Sequence, residues 1–219
     1  MDWRPAYLSL HVASLAILLA VALGVPLAWC LARRRIPAPD LVSALVTVPM
    51  VVPPTVMGYA LLLLIGRRSP IGAFLEERFG LVLVFDWPAA VLAGAIAALP
   101  LVLRAAQTAF AGVDADIEDS ARMLGSGGLR LFWTITLPLA WRGVAAGVVL
   151  GFARALGEFG ATLMVAGDVP GRTQTLPIAI YDAVQAGNHE VANQLLMLIL
   201  AMGMLIVWVL DRVARVVPG

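Results

Sequence analysis

The sequence has no lysine: all 15 of its basic residues are arginine. That removes from this chain every chemistry that turns on a lysine amine, including a Walker A phosphate loop, a Schiff base and a pyridoxal phosphate anchor. If ATP drives this protein, another polypeptide hydrolyses it. Cysteine is almost missing too. Cys30 stands alone, so neither an intrachain disulfide nor a cysteine metal cluster can form. His11 and His189 are far apart and lack ligand spacing; both read as structural or interfacial, and no metal site is expected. Charge is scarce at 13% of residues, against about 25% in a soluble domain. The net charge of +1 gives no general attraction to nucleic acid.

What is abundant is apolar surface. Hydrophobic residues make up 61% of the 219-residue chain, where a soluble domain has about 45–50%. A lipid bilayer accounts for the excess, because each crossing helix needs about 20 apolar residues. Five apolar stretches are long enough to span, at about 7–32, 41–65, 88–110, 143–166 and 193–211. The first is read as a span and not a cleavable signal: Asp2 precedes Arg4, and the run from Tyr7 to Ala32 exceeds a signal core. Between the second and third spans, 67–87 is an amphipathic connector that lies in the interface or re-enters. The fold class expected is an all-α integral membrane bundle of about five helices.

Arginines fix an expected orientation. Five spans put the termini on opposite sides. One side carries Arg33, Arg34, Arg35, Arg122, Arg130, Arg142, Arg212 and Arg215; the other carries Arg4, Arg67, Arg68, Arg78 and Arg172. The richer side is taken as cytoplasmic, with the N-terminus outside, the C-terminus inside and the connector 111–142 in the cytoplasm.

Several spans carry signs of close packing or bending. Gly143, Gly147, Gly151 and Ala155 recur every four residues and form a small-residue stripe. Pro49, Pro53 and Pro54 interrupt the second span. They mark either a packing kink or a broken helix lining a path. Arg154 and Glu158 stand inside the fourth span, four residues apart and so on one helix face. Either they lock the bundle as a pair, or Glu158, flanked by Gly157 and Gly160, lies near a gate. A carboxylate repels an anion, so a direct anion-binding role for Glu158 is not expected. Arg104 is placed to snorkel. Thr55, Thr162, Gln107 and Gln194 read first as helix–helix hydrogen bonds; Thr55, Arg154, Glu158, Gly160 and Thr162 are also the candidates for a pathway or gate.

Residues 114–125 read as a short helix outside the membrane. Asp114 or Asp116 can cap it, Glu118 and Asp119 suit its first turn, Arg122 its last, and Gly125 can end it in a left-handed conformation. Ile117, Ala121 and Leu124 fall on one apolar stripe. Such a helix can lie on lipid, act as a plain linker, or dock in a groove of a soluble partner.

Spacing brings in a family. The run Asp119-Ser120-Ala121, three residues, Gly125, nine residues, Ile135, one residue, Leu137-Pro138 resembles the signature loop of ABC importer permeases, Glu-Ala-Ala-x3-Gly-x9-Ile-x-Leu-Pro. Asp119 stands for Glu and Ser120 for Ala. The resemblance implies that 114–131 is a coupling helix seated on an ATP-binding subunit, with Glu118, Asp119, Ser120, Ala121, Arg122, Leu124, Gly125, Leu137 and Pro138 in the contact or its framework. The segments Phe152–Thr162, Val169–Pro177 with Ile180 and Tyr181, and Val52–Tyr59 resemble molybdate and tungstate permeases, with sulfate permeases as near relatives. By that resemblance the whole chain, 1–219, is one permease domain of the type I importer kind. It works as a homodimer, with two ATP-binding cassette subunits that hold ATP and Mg and an extracytoplasmic oxyanion-binding protein, and it carries no cofactor of its own. A sulfate or thiosulfate permease remains open. A secondary transporter would carry more embedded ionisable groups, and an intramembrane enzyme would need a catalytic constellation that is not seen.

Overall fold

The computed structural model describes residues 3–215; Asp2 lies outside them. Among the described residues the secondary structure is helical throughout. The first helix, α1 (Arg4–Ala32), starts with Pro5 inside its first turn, where a missing N–H costs nothing. Helix α2 (Pro39–Thr47) runs into a 3-10 turn at Val48–Met50, and α3 (Pro54–Ile65) follows after a break. Helix α4 (Pro70–Phe79) is short and capped by the Ser69 hydroxyl, which accepts from Gly72 N at 2.9 Å. Helix α5 (Trp87–Ala111) crosses back. Then come α6 (Ala115–Met123), the single turn α7 (Gly128–Leu131), a π turn at Phe132–Thr136 and α8 (Leu137–Leu156). Helices α9 (Gly160–Ala166), α10 (Leu176–Gln185) and α11 (His189–Arg215) complete the described residues.

Four helical stretches are long and apolar enough to cross a membrane: Arg4–Ala32, Trp87–Ala111, Gly128–Leu156 and His189–Arg212. The pair Pro39–Met50 and Pro54–Ile65 makes a fifth if taken as one broken span. Two of the expected spans are interrupted. The stretch 41–65, where the prolines marked a kink or a break, is broken and bent by 111°, because Pro53 and Pro54 have no N–H with which to continue the helix. The expected span 143–166 begins earlier, at Gly128, and ends at Leu156. Gly157–Phe159 interrupts it before α9. Helix α10 lies between the expected spans 143–166 and 193–211, its ten residues too short to register as a span.

The core is the packing of α1, α5 and α8, and small residues set how close they come. A side chain at Gly147 would meet Ala105 Cβ at 2.8 Å, and one at Gly151 would meet Ile17 Cδ1 at 2.8 Å; Gly143 faces Ala109 in the same way. The stripe predicted on α8 is therefore its seam with α5, extended on α5 by Gly94 against Ala16 and Ala155. Helix α11 is the opposite case: 6% of its most apolar stretch is buried within the chain, although that stretch is hydrophobic on all sides.

Candidate functional site

Helix α6 stands off the bundle at the end where α1 and α5 finish and α8 begins. Asp114 caps it, its carboxylate accepting from Asp116 N at 2.9 Å. Its far end is a complete Schellman closure: Ser126 N donates to Ala121 O at 2.9 Å, Gly125 N donates to Arg122 O at 3.0 Å, and Gly125 sits at φ +86°. The expected apolar stripe is corrected here. Ala121 is buried, but Ile117 and Leu124 face outward. Glu118, and not an apolar residue, is the other buried position on α6. The exposed side joins Ile117, Met123 and Leu124, the last two 83% and 87% exposed, with Leu129 of α7 beside them. Asp119 and Ser120 are also exposed; Leu137 and Pro138 form the first turn of α8, Pro138 exposed.

Glu118 was expected to serve the helix dipole; the structure makes it the centre of a buried cluster, with its side chain only 2% exposed. Arg33, one residue past α1, donates through Nη2 to Glu118 Oε1 at 2.7 Å and to Val113 O at 3.3 Å. The Thr136 hydroxyl donates to the same Oε1 at 2.7 Å. Arg122 donates to Oε2 at 2.9 Å and also pairs with Asp119. Burial pushes the Glu118 carboxyl up, but the hydrogen bonds from Thr136 and Arg33 and the charges of Arg33 and Arg122 outweigh it and hold the group below the usual carboxylate range. Around this cluster Trp29 packs on Phe132 at 4.8 Å, Phe132 on Phe110 at 5.8 Å, and the Arg35 guanidinium lies 4.1 Å over the Trp29 ring. The sequence signal was present but misassigned: the signature spacing falls on Asp119, while its neighbour Glu118 is the acid turned inward.

The other candidates gather where two helix breaks meet. A side chain at Gly160 would touch Pro54 Cβ at 3.0 Å and Thr55 N at 3.2 Å, and one at Gly58 would strike Met164 Cβ at 2.6 Å. Thus the interruption before α3 abuts the interruption before α9. Glu158 lies past the end of α8, not within it. Its Oε1 accepts from Ala161 N at 2.9 Å, and its Oε2 pairs with Arg154 Nη1 at 2.7 Å. Glu158 is buried while the Arg154 side chain is 36% exposed. Thr162 is buried and Thr55 exposed. Gln107 behaves as a helix–helix bond, accepting from the Ser43 hydroxyl at 3.3 Å. Arg104 donates to the Thr47 hydroxyl at 3.3 Å and so ties α5 to α2 where snorkelling was expected.

At the far end of the bundle, Asp86 caps α5 and pairs with Arg172 at 2.9 Å, tying α5 to the loop after α9. The hydrogen bond from Arg172 holds the Asp86 carboxyl below its ordinary value despite burial, helped by the Trp87 N–H and the Arg172 charge. In the same loop Asp168 is pushed up by burial, opposed by a hydrogen bond from Gln174 and reinforced by the nearby Asp182 charge. A cavity of about 820 Å³ opens here, lined by Arg67, Arg68, Ser69, Val84, Asp86 and Arg172 among others. Among the described residues, no group of three or more His, Cys, Asp or Glu could hold a metal ion.

Known proteins share this plan. The structure of an inward-facing methionine ABC transporter, MetNI, superposes with a TM-score of 0.76, covering 99% of this chain and 95% of that one at 18% identity; at that identity the likeness is one of fold. The molybdenum transport system permease protein ModB of Escherichia coli K12 is 42% identical over 216 residues, 98% of this chain and 94% of its own length. ModB of Haemophilus influenzae is 43% identical over 190 residues, 87% of this chain and 83% of that protein. The sulfate permease CysW of Synechococcus elongatus is 35% identical over 176 residues, 80% of this chain and 61% of that protein. Residues 20–217 match the family model described as binding-protein-dependent transport system inner membrane component, and the chain, an all-α multi-pass membrane protein, belongs to that family.

Proposed function

We propose that this chain is the permease subunit of an ATP-driven importer for molybdate or tungstate. The observation that carries the substrate is the 42% identity to a molybdenum permease over nearly the whole chain. The observation that supports ATP coupling through a partner is α6, a capped helix that holds an exposed apolar face of Ile117, Met123 and Leu124 away from the bundle. Apolar residues so presented suit the groove of a soluble subunit. An ATP-binding cassette subunit supplies ATP and Mg, and a binding protein delivers the oxyanion.

Two copies of the chain and two ATPase subunits make the working unit, with the path between the copies. The bare flank of α11 and the broken α2–α3 pair are surfaces that a second copy can cover. The N-terminus lies outside and α6 in the cytoplasm, as the arginines at the α6 end favour. The meeting of the two breaks, with Thr55, Arg154, Glu158, Gly160 and Thr162, belongs to the path or its gate. Glu158 there is neutralised by Arg154 and by the Ala161 N–H, so it need not repel an anion. ATP binding draws the two α6 helices together and opens the permease outward; hydrolysis reverses it. The equilibrium shifts only by what each partner gains in one state over the other.

Sulfate is the second reading, favoured by the CysW relative. The test reconstitutes the chain in lipid vesicles with its neighbouring ATPase subunit and binding protein, and adds molybdate, tungstate or sulfate in turn. Stimulation of ATP hydrolysis by molybdate or tungstate, dependent on this chain, is the expected result. Stimulation by sulfate alone moves the substrate to the second reading. No ATPase binding and no response to any anion would put a secondary transporter first.

A further inference from the structure

The segment that follows α6 holds it only loosely to the bundle. Gly125, Gly127 and Gly128 follow it, two of them at positive φ, and a side chain at any of the three would meet nothing within 4 Å. Glycines in such a run leave a joint free to swivel. Of the residues in α6, only Glu118 and Ala121 are buried, and only Glu118 has a polar group to tie. It ties two different elements with one oxygen, the end of α1 through Arg33 and the π turn that opens the Gly128–Leu156 span through Thr136. Its other oxygen is held by Arg122 of its own helix. The π turn is a rare geometry that recurs at functional positions.

We propose that Glu118 is a positioning residue that pins α6 to α1 and to the π turn, so that a push on α6 is transmitted into the bundle instead of being lost at the glycine joint. The proposal rests on the coupling reading above and adds to it. The docking face is Ile117, Met123 and Leu124; Glu118 faces the other way and is the mechanical connection behind that face. A buried carboxylate with three donors holds one geometry tightly, and loss of its charge leaves Arg33 without its carboxylate partner while Arg122 keeps Asp119. The pin makes the angle of α6 common to two spans.

The experiment uses the reconstituted complex with molybdate, comparing the unmodified chain with Glu118→Gln and Thr136→Val. Two quantities are read: the ATPase subunit that co-purifies, and the molybdate transported per ATP hydrolysed. With the pin weakened, the ATPase subunit still co-purifies and transport per ATP falls at least about fivefold in Glu118→Gln, in the range of ordinary coupling free energies, with a smaller fall in Thr136→Val. If uptake and hydrolysis fall together and their ratio holds, Glu118 only stabilises the fold and the proposal is wrong. If Glu118→Gln releases the ATPase subunit, Glu118 belongs to the docking contact and the proposal is equally wrong. Should Glu118→Gln fail to fold, Thr136→Val decides alone, because it keeps both arginine pairs. If the unmodified chain binds no ATPase subunit, the importer reading falls and the pin falls with it.

Discussion

Glu118 and Gly147 show how single residues carry this fold. Because the Glu118 carboxyl titrates below the usual range in the folded protein, its contribution to stability is fully present above the unfolded carboxylate value of about 4.3. It is lost as pH falls through the lower folded value. Thermal unfolding in detergent across that acid range should therefore show a steeper loss for the native chain than for Glu118→Gln; equal slopes would remove the ion-pair account. At Gly147 the argument is steric. A Cβ alone would lie 2.8 Å from Ala105 Cβ, so Gly147→Leu must push α8 from α5, at a cost of about 1–3 kcal/mol for overpacking. An unchanged melting temperature would mean that the seam is looser than these distances state.

At the scale of elements, ends matter more than middles. Gly125→Pro should break the closure of α6 on two counts: the φ of +86° lies far from the proline ring, and the Gly125 N–H now donated to Arg122 O is lost. Uptake should collapse while the chain still inserts; normal uptake would end the assignment of α6 to coupling. The start of α5 separates two effects at one residue. Asp86→Ala removes both the cap and the Arg172 pair, and loses about 1 kcal/mol through the cap. Asp86→Asn keeps an accepting oxygen and gives up only an exposed ion pair worth little. Equal destabilisation by both would show that the pair, not the cap, holds this end. These ends also mark where the sequence was legible. Asp114 and Gly125 announced α6 because capping is local chemistry, and the Gly143–Gly147–Gly151 stripe announced a seam because small residues at one spacing have few other uses. The inward turn of Glu118 was not legible, since its partners Arg33 and Thr136 lie 85 and 18 residues away. The break at Gly157–Phe159 escaped for a related reason. No proline marks it, and it is held by Glu158 bonding onward to Ala161 N and by the fit of Gly160 against Pro54 and Thr55.

For the whole molecule, the all-α bundle of four or five spans was legible from composition, because a bilayer allows few solutions for so apolar a chain, and the family from the resemblance of the run from Asp119 to Pro138 to a known signature loop. Orientation rests on eight arginines against five, and it can be tested directly because thiols are so scarce. With Cys30 replaced by alanine, single cysteines can be placed on either side. Gly127→Cys has open space around it beside α6, and Glu77→Cys is exposed on α4 at the opposite end. In intact cells a membrane-impermeant maleimide should label Glu77→Cys at once and Gly127→Cys only after permeabilisation. The reverse pattern would put α6 outside, where no cytoplasmic ATPase can reach it. Labelling and the vesicle experiment therefore bear on the same surface from independent directions: Ile117, Met123 and Leu124 can couple to ATP hydrolysis only from the side on which Gly127→Cys stays protected in the intact cell.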